Sequence, residues 1–121
     1  MTEKELFIEK MKIRTKQFAI NTIKFCESLP KGNTFYRMGD QLLRSATSVG
    51  ANYRAACRAR SKAEFFSKLS IVIEEGDECG FWLELFIESE KQNTEEAKYL
   101  LSEANEITSI LAKARKTVSN K

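Results

Sequence analysis

A cluster of cations between residues 37 and 62 could bind a polyanion. At 100° per residue, one side of a single helix collects Arg37, Arg44, Arg54 and Arg58. Arg60 and Lys62 extend this cluster into the following turn, and Asn52 supplies a nearby amide for contact with a base or a sugar. The planar guanidinium group suits phosphates and carboxylates alike. The cluster therefore predicts either a nucleic-acid surface or a set of ion pairs.

The charge of the chain is strongly polarised, although the formal net charge is only +3. Residues 1–62 carry 13 Lys and Arg against 5 Asp and Glu, a net charge of +8, whereas residues 63–121 carry 7 against 12, a net charge of −5. This polarisation indicates a basic face for a polyanion, or opposite faces that pair within or between subunits. Four cations nearer the N-terminus could widen the basic face: Lys12, Arg14, Lys16 and Lys24.

Two carboxylates lie next to a tryptophan on one flank of the third predicted helix. Glu75 and Glu78 are three residues apart and are therefore neighbours on a helix. The same flank carries Ile71, Trp82 and Leu85, and a four-helix monomer has no core to cover them; exposed patches of this kind usually mark interfaces. We therefore predict a homo-oligomer interface at these five residues. The alternative is that Trp82 lies across a neighbouring helix end within one subunit.

The two carboxylates of this flank need cations. Arg44 is the predicted partner of Glu75 and Glu78, within or between subunits, and Lys68 is a second candidate. A metal or acid–base site is the sharper alternative. Because the chain has no histidine, the Glu-x-x-His pairs of di-iron bundles are absent, and we predict no metal and no cofactor.

We predict that the protein is not an enzyme. Histidine, the commonest general base, is absent, and the chain has neither a phosphate-binding loop nor a Gly-x-Ser-x-Gly elbow. Cys26, Cys57 and Cys79 fall on or near apolar stripes, which predicts core packing rather than nucleophilic chemistry. Three cysteines without CxxC spacing indicate reduced thiols in the cytoplasm. No stretch approaches the ~18 apolar residues of a membrane span, so no membrane partner is predicted.

Four long helices must position these groups. One proline and five glycines among 121 residues leave few breaks, and the composition favours helices over sheets. Apolar residues at helical spacing predict helices over about residues 4–28, 34–59, 62–89 and 94–118. Short connections between long helices make neighbours antiparallel. We therefore predict one all-α domain over residues 1–121, an up-down-up-down four-helix bundle.

Local signals mark the starts of these helices. Asn33 or Thr34 is the predicted cap of the second helix. Ser61 and Glu64 form a capping box ahead of the third helix, and Asn93 is the predicted cap of the fourth.

The apolar stripes predict the core. The stripe of the first helix consists of Phe7, Met11, Phe18 and Phe25. Gly76 and Gly80 each destabilise a helix by about 1 kcal/mol relative to alanine. We expect a close approach of another helix at these residues to offset this cost. Residues 119–121 are expected to fray.

Three runs and one proline of this sequence resemble a known bacterial family. They are Pro30, Gln41-Leu42-Leu43-Arg44-Ser45-Ala46-Thr47-Ser48-Val49-Gly50-Ala51-Asn52, Ala63-Glu64-Phe65-Phe66-Ser67-Lys68-Leu69-Ser70-Ile71 and Trp82-Leu83-Glu84-Leu85. Over roughly residues 10–115 the chain resembles the four-helix bundle family named for open reading frames in intervening sequences of 23S ribosomal RNA genes, also called the S23 ribosomal protein family. That family is similar in turn to the accessory variability protein of diversity-generating retroelements.

The resemblance implies a barrel-shaped homopentamer with a basic surface. For the retroelement relative it implies binding to nucleic acid and to a reverse transcriptase. The residues that match by position are Gln41, Arg44, Ser45, Ser48 and Asn52. Many members continue Asn-Ile-Ala-Glu-Gly where this chain has Asn52-Tyr53-Arg54-Ala55-Ala56. Because Ala55 replaces the glutamate, no role of that carboxylate is carried over.

Two functions stay open at this point. The first is a non-catalytic, oligomeric nucleic-acid-binding protein, for RNA rather than DNA, that uses the basic face of the second helix. The second is a protein-interaction scaffold whose arginines stabilise the oligomer and whose basic half docks an acidic partner.

Overall fold

Four α-helices joined by short connections form the molecule. The computed structural model describes residues 1–119, and its helices are α1 (Glu3–Glu27), α2 (Asn33–Cys57), α3 (Lys62–Glu88) and α4 (Glu95–Ser119). The predicted bounds differ from these by no more than two residues at any end. Of the residues expected to fray, Ser119 is the last residue of α4, and Asn120 and Lys121 lie outside the described residues.

The helices pack in chain order around one core. α1 contacts α2, α2 contacts α3, α3 contacts α4, and α4 returns to α1, so α1 and α3 lie on a diagonal. No strand occurs in residues 1–119. The prediction of an all-α four-helix bundle is confirmed.

The core is a stripe of apolar side chains from each helix. Its largest fully buried members are Phe18, Phe25, Phe86, Leu42, Leu69, Leu83, Leu100, Ile107 and Leu111. Each such side chain stabilises the fold by about 1.5–3 kcal/mol relative to leaving it in water. The prediction is wrong for Phe7, which is 39% exposed because it lies in the first two turns of α1, where the bundle opens.

One close helix contact depends on a glycine of α3. A Cβ on Gly76 would collide with Thr108 Oγ1 of α4, so the predicted close approach is confirmed at that residue. The same atom on Gly80 would lie 3.5 Å from Asn105 Oδ1, an ordinary contact. The α3–α4 contact therefore requires a glycine at residue 76 and not at residue 80.

The start of α3 is capped as predicted, in part. The Ser61 hydroxyl accepts a hydrogen bond of 3.1 Å from the Glu64 backbone N–H. The Glu64 carboxylate does not complete a reciprocal capping box, because it accepts from the Arg60 backbone N–H at 3.5 Å.

Two other predicted caps are wrong. α2 follows Gly32, whose φ of 150° turns the chain so that Asn33 is already helical, and no side chain caps it. α4 is capped by Thr94, whose hydroxyl accepts from the Ala97 backbone N–H at 3.1 Å, rather than by Asn93.

Candidate nucleic-acid interface

Arg44 is bound by two carboxylates where α2 meets α3. Its Nη1 lies 3.4 Å from Glu75 Oε2, and its Nη2 contacts Glu78 Oε2. We call these three residues the α2–α3 edge. The predicted pairing is confirmed within one chain, and Lys68 makes no ion pair in the part of the chain that the structure describes.

The electrostatics of the α2–α3 edge follow from burial and from the guanidinium group. Burial raises the pKa of Glu75 more than the nearby charge of Arg44 lowers it. Burial also acts to raise the pKa of Glu78, but hydrogen bonds from Arg44 and Ser45 outweigh it, and the net pKa is lowered. The hydrogen bond to Glu78 raises the pKa of Arg44 further above its ordinary value. Arg44 is therefore a charged group whose field its neighbours cancel.

Arg54 lies in a different environment, beside α1. It lines a shallow groove of about 380 Å³ whose residues are Glu9, Lys12, Ile13, Lys16, Ala19, Thr47, Gly50, Ala51 and Arg54, and we call this the α1–α2 groove. The backbones of α1 and α2 approach each other at Gly50, where a Cβ would lie in contact with Thr15 O at 3.4 Å. The narrow spacing places cations of both helices along one surface.

The α1–α2 groove has an excess of positive charge. Lys12 pairs with Glu9 at 3.3 Å. Within residues 1–119, neither Lys16 nor Arg54 makes an ion pair, and both are exposed. These two cations are free to bind an external anion.

The other predicted cations do not form one cluster. Arg37 lies 17 residues before Arg54, which corresponds to about 25 Å along a helix, and its Nε donates to Asn33 Oδ1 at 3.4 Å. Arg58 is the first residue after α2 and is exposed. Arg60 lies in the turn before α3 and Lys62 is the first residue of α3, and both line a cavity at the end of the bundle.

The predicted amide contact, Asn52, is held within its own helix. Its Nδ2 donates to Ser48 O at 3.0 Å and to Ser48 Oγ at 2.8 Å, and the side chain is half-buried. A base or sugar contact by Asn52 stays a prediction that requires these bonds to open.

Arg14 does not widen the basic surface, although the sequence suggests it. Its Nε and Nη2 donate to the two carboxylate oxygens of Glu103 at 2.9 and 2.7 Å, and Nη2 lies 3.1 Å from Glu106 Oε1. These hydrogen bonds raise the pKa of Arg14 above its ordinary value. Arg14 therefore joins α1 to α4. The spacing of α1 alone cannot reveal this partner.

The predicted oligomer interface divides into exposed and half-buried residues. Ile71 and Leu85 are 36% and 37% exposed, and Phe81, on the same outer side of α3, is 52% exposed. Trp82 follows the alternative arrangement, because it packs partly buried against the core and lines a small cavity with the first turns of α2. Its indole N–H is buried and has no acceptor in the described residues. Whether this side of α3 joins copies of the chain stays a prediction.

The three thiols occupy sheltered positions. Cys79 is buried, and Cys26 and Cys57 are half-buried. Burial raises the pKa of all three, to about 11 for Cys26. In the described part of the chain, no three His, Cys, Asp or Glu side chains converge on a point where a metal ion could bind. None of the helices within residues 1–119 has an apolar stretch long enough to cross a membrane.

The fold and the site define a class of protein, a small antiparallel four-helix bundle whose polar chemistry lies on its outer surface. The family model described as 23S rRNA-intervening sequence protein matches residues 10–113, and the chain belongs to this family. A solved structure of a protein of unknown function from the S23 ribosomal protein family of Bacteroides thetaiotaomicron is 34% identical and superposes with a TM-score of 0.81. The match covers 88% of this chain and 98% of that one. The comparison with curated proteins found no match.

Proposed function

We propose that this protein is a non-catalytic, oligomeric RNA-binding bundle, with RNA preferred over DNA, and that it binds phosphates in the α1–α2 groove. One observation carries the proposal. Lys16 and Arg54 share a groove without a carboxylate bound to either, whereas the neighbouring Arg44 is neutralised. Phosphate contacts by such cations supply most of the sequence-independent affinity for nucleic acids.

The remaining predicted residues rank by their distance from the groove. Arg58 is four residues after Arg54, about 6 Å along the helix axis, and extends the basic surface. Arg60 and Lys62 lie further on, and Arg37 lies at the opposite end of α2. Arg44 and Asn52 contribute only if their present partners release them.

The absence of catalysis is part of the same proposal. The chain has no histidine, and burial disfavours the thiolate form that a nucleophilic cysteine needs. Three thiols without a disulfide support a reducing compartment, the cytoplasm.

The direct test is a fluorescence-anisotropy titration of a structured RNA and a matched DNA duplex over a series of salt concentrations. We expect binding whose log K falls with log salt by about 0.9 per neutralised phosphate on duplex DNA, and a higher affinity for the RNA. Lys16→Glu/Arg54→Glu should weaken binding by about tenfold per reversed charge.

The matched control is Lys91→Glu/Lys98→Glu. It changes the net charge equally at exposed residues of the α3–α4 turn and α4, away from the groove. If the control weakens binding as much as the groove variant, only the overall charge matters. If wild type does not bind at low salt, the proposal fails.

The oligomer is the second part of the proposal, and the exposed side of α3 supports it. Ile71, Phe81 and Leu85 are apolar and exposed there, among the carboxylates of Glu74 and Asp77. A head-to-tail contact between this side and a surface of a second copy outside the groove forms a ring when its rotation closes. The family resemblance implies a pentamer, in which repeated grooves would strengthen the field for a polyanion.

Light scattering of Ile71→Glu/Leu85→Glu tests this interface. We expect the mass to fall to that of the 13.9 kDa monomer. Tyr99→Glu, on α4 and 56% exposed, is the control and should leave the mass unchanged. An unchanged mass in the double variant would place the interface elsewhere.

A protein-interaction scaffold is the alternative function, and the α2–α3 edge favours it. Arg44 shows that an arginine of α2 can bind two carboxylates, so the same helix could dock an acidic partner. The reverse transcriptase implied by the retroelement resemblance would be one such partner. In that case the wild-type protein would not bind RNA. Lys16→Glu/Arg54→Glu would instead weaken the capture of an acidic protein.

A further inference from the structure

The two ends of the bundle are closed in different ways. Where α1 and α3 end, the rings of Phe25 and Phe86 meet edge to face across the diagonal with centroids 5.6 Å apart, and neither is exposed. At the opposite end, where α1 and α3 begin and α2 and α4 end, the core opens into a cavity of about 740 Å³. This volume lies within the usual range of small-molecule sites, about 300–1,000 Å³.

The end cavity combines apolar walls with a cationic mouth. Its main apolar lining residues are Phe7, Ile8, Phe65, Leu69, Leu111 and Val118. Among residues 1–119 its charged lining residues are all cations, Lys4, Arg60 and Lys62, and no carboxylate of those residues lines it. Within residues 1–119, none of the three makes an ion pair. The cavity therefore offers apolar surface for one end of a ligand and unneutralised positive charge for the other.

The interior has few polar groups to offer a ligand. The uncharged polar residues of its lining are Tyr53, which is 2% exposed, the half-buried Cys57, and Ser61 and Thr117, which are already exposed to water. A sugar or a nucleobase would lose its hydrogen bonds to water on entering the cavity, and such a loss costs binding free energy. An aliphatic chain would lose none.

We propose that the end cavity binds a free long-chain monocarboxylate. The alkyl chain lies against the apolar walls, and the carboxylate lies at the mouth, where Arg60 can donate paired hydrogen bonds and Lys4 and Lys62 supply further charge. This site is separate from the α1–α2 groove, with which it shares no lining residue.

Calorimetric titration of the full chain with hexadecanoate, below its micelle concentration, tests the proposal. We expect saturable binding that weakens by about two orders of magnitude for dodecanoate, because each buried methylene adds to the affinity. Hexadecyltrimethylammonium, with the same chain and a cationic head, should bind at least about tenfold more weakly. Equal affinity for the two head groups, or no dependence on chain length, would overturn the proposal.

Three variants locate the site. Arg60→Gln/Lys62→Gln should weaken hexadecanoate binding by about tenfold or more and abolish the preference for the anionic head. Arg54→Gln/Lys16→Gln removes the same charge from the groove and should leave hexadecanoate binding unchanged. Ala114→Phe should fill the cavity and block binding, provided that circular dichroism shows a folded helical protein; if it does not fold, the charge variants decide. Binding that survives Arg60→Gln/Lys62→Gln unchanged would contradict the assignment.

Two parallel measurements separate this proposal from others. Flotation with vesicles of anionic and neutral phospholipid should show no binding, since the ligand is a free acid rather than a bilayer; binding to vesicles without binding to hexadecanoate would overturn the proposal. RNA affinity, measured on the same variants, should fall for the groove pair far more than for the mouth pair. Failure of either function is therefore visible independently of the other.

Discussion

Arg44 and Arg54 lie ten residues apart on α2 and about 80° apart around its axis, and they face different neighbouring helices. Arg44 is held by Glu75 and Glu78 at the α2–α3 edge, while Arg54 faces Lys16 across the α1–α2 groove. Both are exposed, and the sequence treats them alike. Position on a helix face therefore does not tell whether an arginine is free. The neighbouring helix determines whether the cation is paired within the fold or remains available to a ligand.

The polarised sequence explains why the two sides of α2 differ. α1 and α2 both belong to the basic half of the chain, so the groove between them brings cations together, and Glu9 is the only carboxylate of residues 1–119 that lines it. α3 begins the acidic half, and the α2–α3 edge is where the two halves meet and cancel. The unpaired cations Lys16 and Arg54 therefore lie on the α1 side of α2.

The strongest test of this comparison introduces a carboxylate into the groove. Ala51→Glu adds an acid three residues before Arg54, on the exposed side of α2, and so recreates for Arg54 the situation of Arg44. We expect RNA affinity to fall by about tenfold, while the free energy of unfolding changes by less than about 0.5 kcal/mol. Anisotropy and urea denaturation measure the two quantities. Ala51→Gln is the control, and an equal loss there would mean that size rather than charge is responsible.

The next test concerns a cation of α1 that behaves as Arg44 does. Arg14→Gln removes the hydrogen bonds to Glu103 and leaves that carboxylate, which is only 16% exposed, without its partner. We expect a loss of about 1 kcal/mol of unfolding free energy, with RNA affinity unchanged. Lys16→Gln should show the reverse pattern. The distinction between paired and free cations would be wrong if Arg14→Gln weakened RNA binding and spared stability.

Releasing Arg44 should convert the α2–α3 edge into a binding surface. Glu75→Gln/Glu78→Gln removes both carboxylates, so we expect RNA affinity to rise about threefold and the salt slope to steepen by up to about one phosphate contact. Glu74→Gln/Asp77→Asn changes the charge equally on exposed residues of α3 that do not touch Arg44. If this control raises the affinity as much, the effect is one of net charge and not of a released guanidinium group.

The smallest expected effect is the pH dependence of the α2–α3 edge. The pKa of Glu75 is raised, so the folded state binds more protons than the unfolded state at pH values just above the ordinary glutamate pKa of about 4.3. The contribution of Glu75 to stability is therefore lost as the pH rises through the folded pKa. Because the pKa of Glu78 is lowered, its contribution is present above that ordinary value and is lost as pH falls through the folded pKa.

Urea denaturation between about pH 3 and 7 separates these two slopes. The wild-type protein should gain stability as the pH falls toward the ordinary glutamate pKa, and Glu75→Gln should not show this gain. Both proteins should lose stability as the pH falls further, because Glu78 is then protonated. The difference should stay under about 1 kcal/mol, since Glu78 and Arg44 are partly solvated. Identical profiles for the variant and wild type would show that burial does not perturb Glu75.

Several features of the fold could be predicted from local sequence alone. The stripe containing Met11, Phe18 and Phe25 is buried as its spacing indicates, and Ser61 caps α3 as its position before Glu64 indicates. These features depend on residues within one or two turns of each other. The same locality explains the failures at Asn33 and Asn93, where the backbone after Gly32 and the hydroxyl of Thr94 prevailed over equally good capping residues.

The candidate site could be predicted only in part. The pairing of Arg44 with Glu75 and Glu78 could be predicted because two neighbouring carboxylates on one helix need a cation. The structure confirms this pairing. Three other contacts join residues of different helices that are far apart in the chain: Arg54 with Lys16, Arg14 with Glu103, and the half-buried Trp82 with the start of α2. The end cavity likewise draws its lining from all four helices.

The sequence by itself determined four helices, their apolar stripes, a family membership and a charge divided between two halves of the chain. It did so because hydrophobic periodicity, capping and composition are properties of neighbouring residues. The tertiary structure alone decided which cations are neutralised, which remain free and where the core stays open. Those outcomes depend on the rotation and axial register of each helix against its neighbours, which are set by packing of the whole core at once.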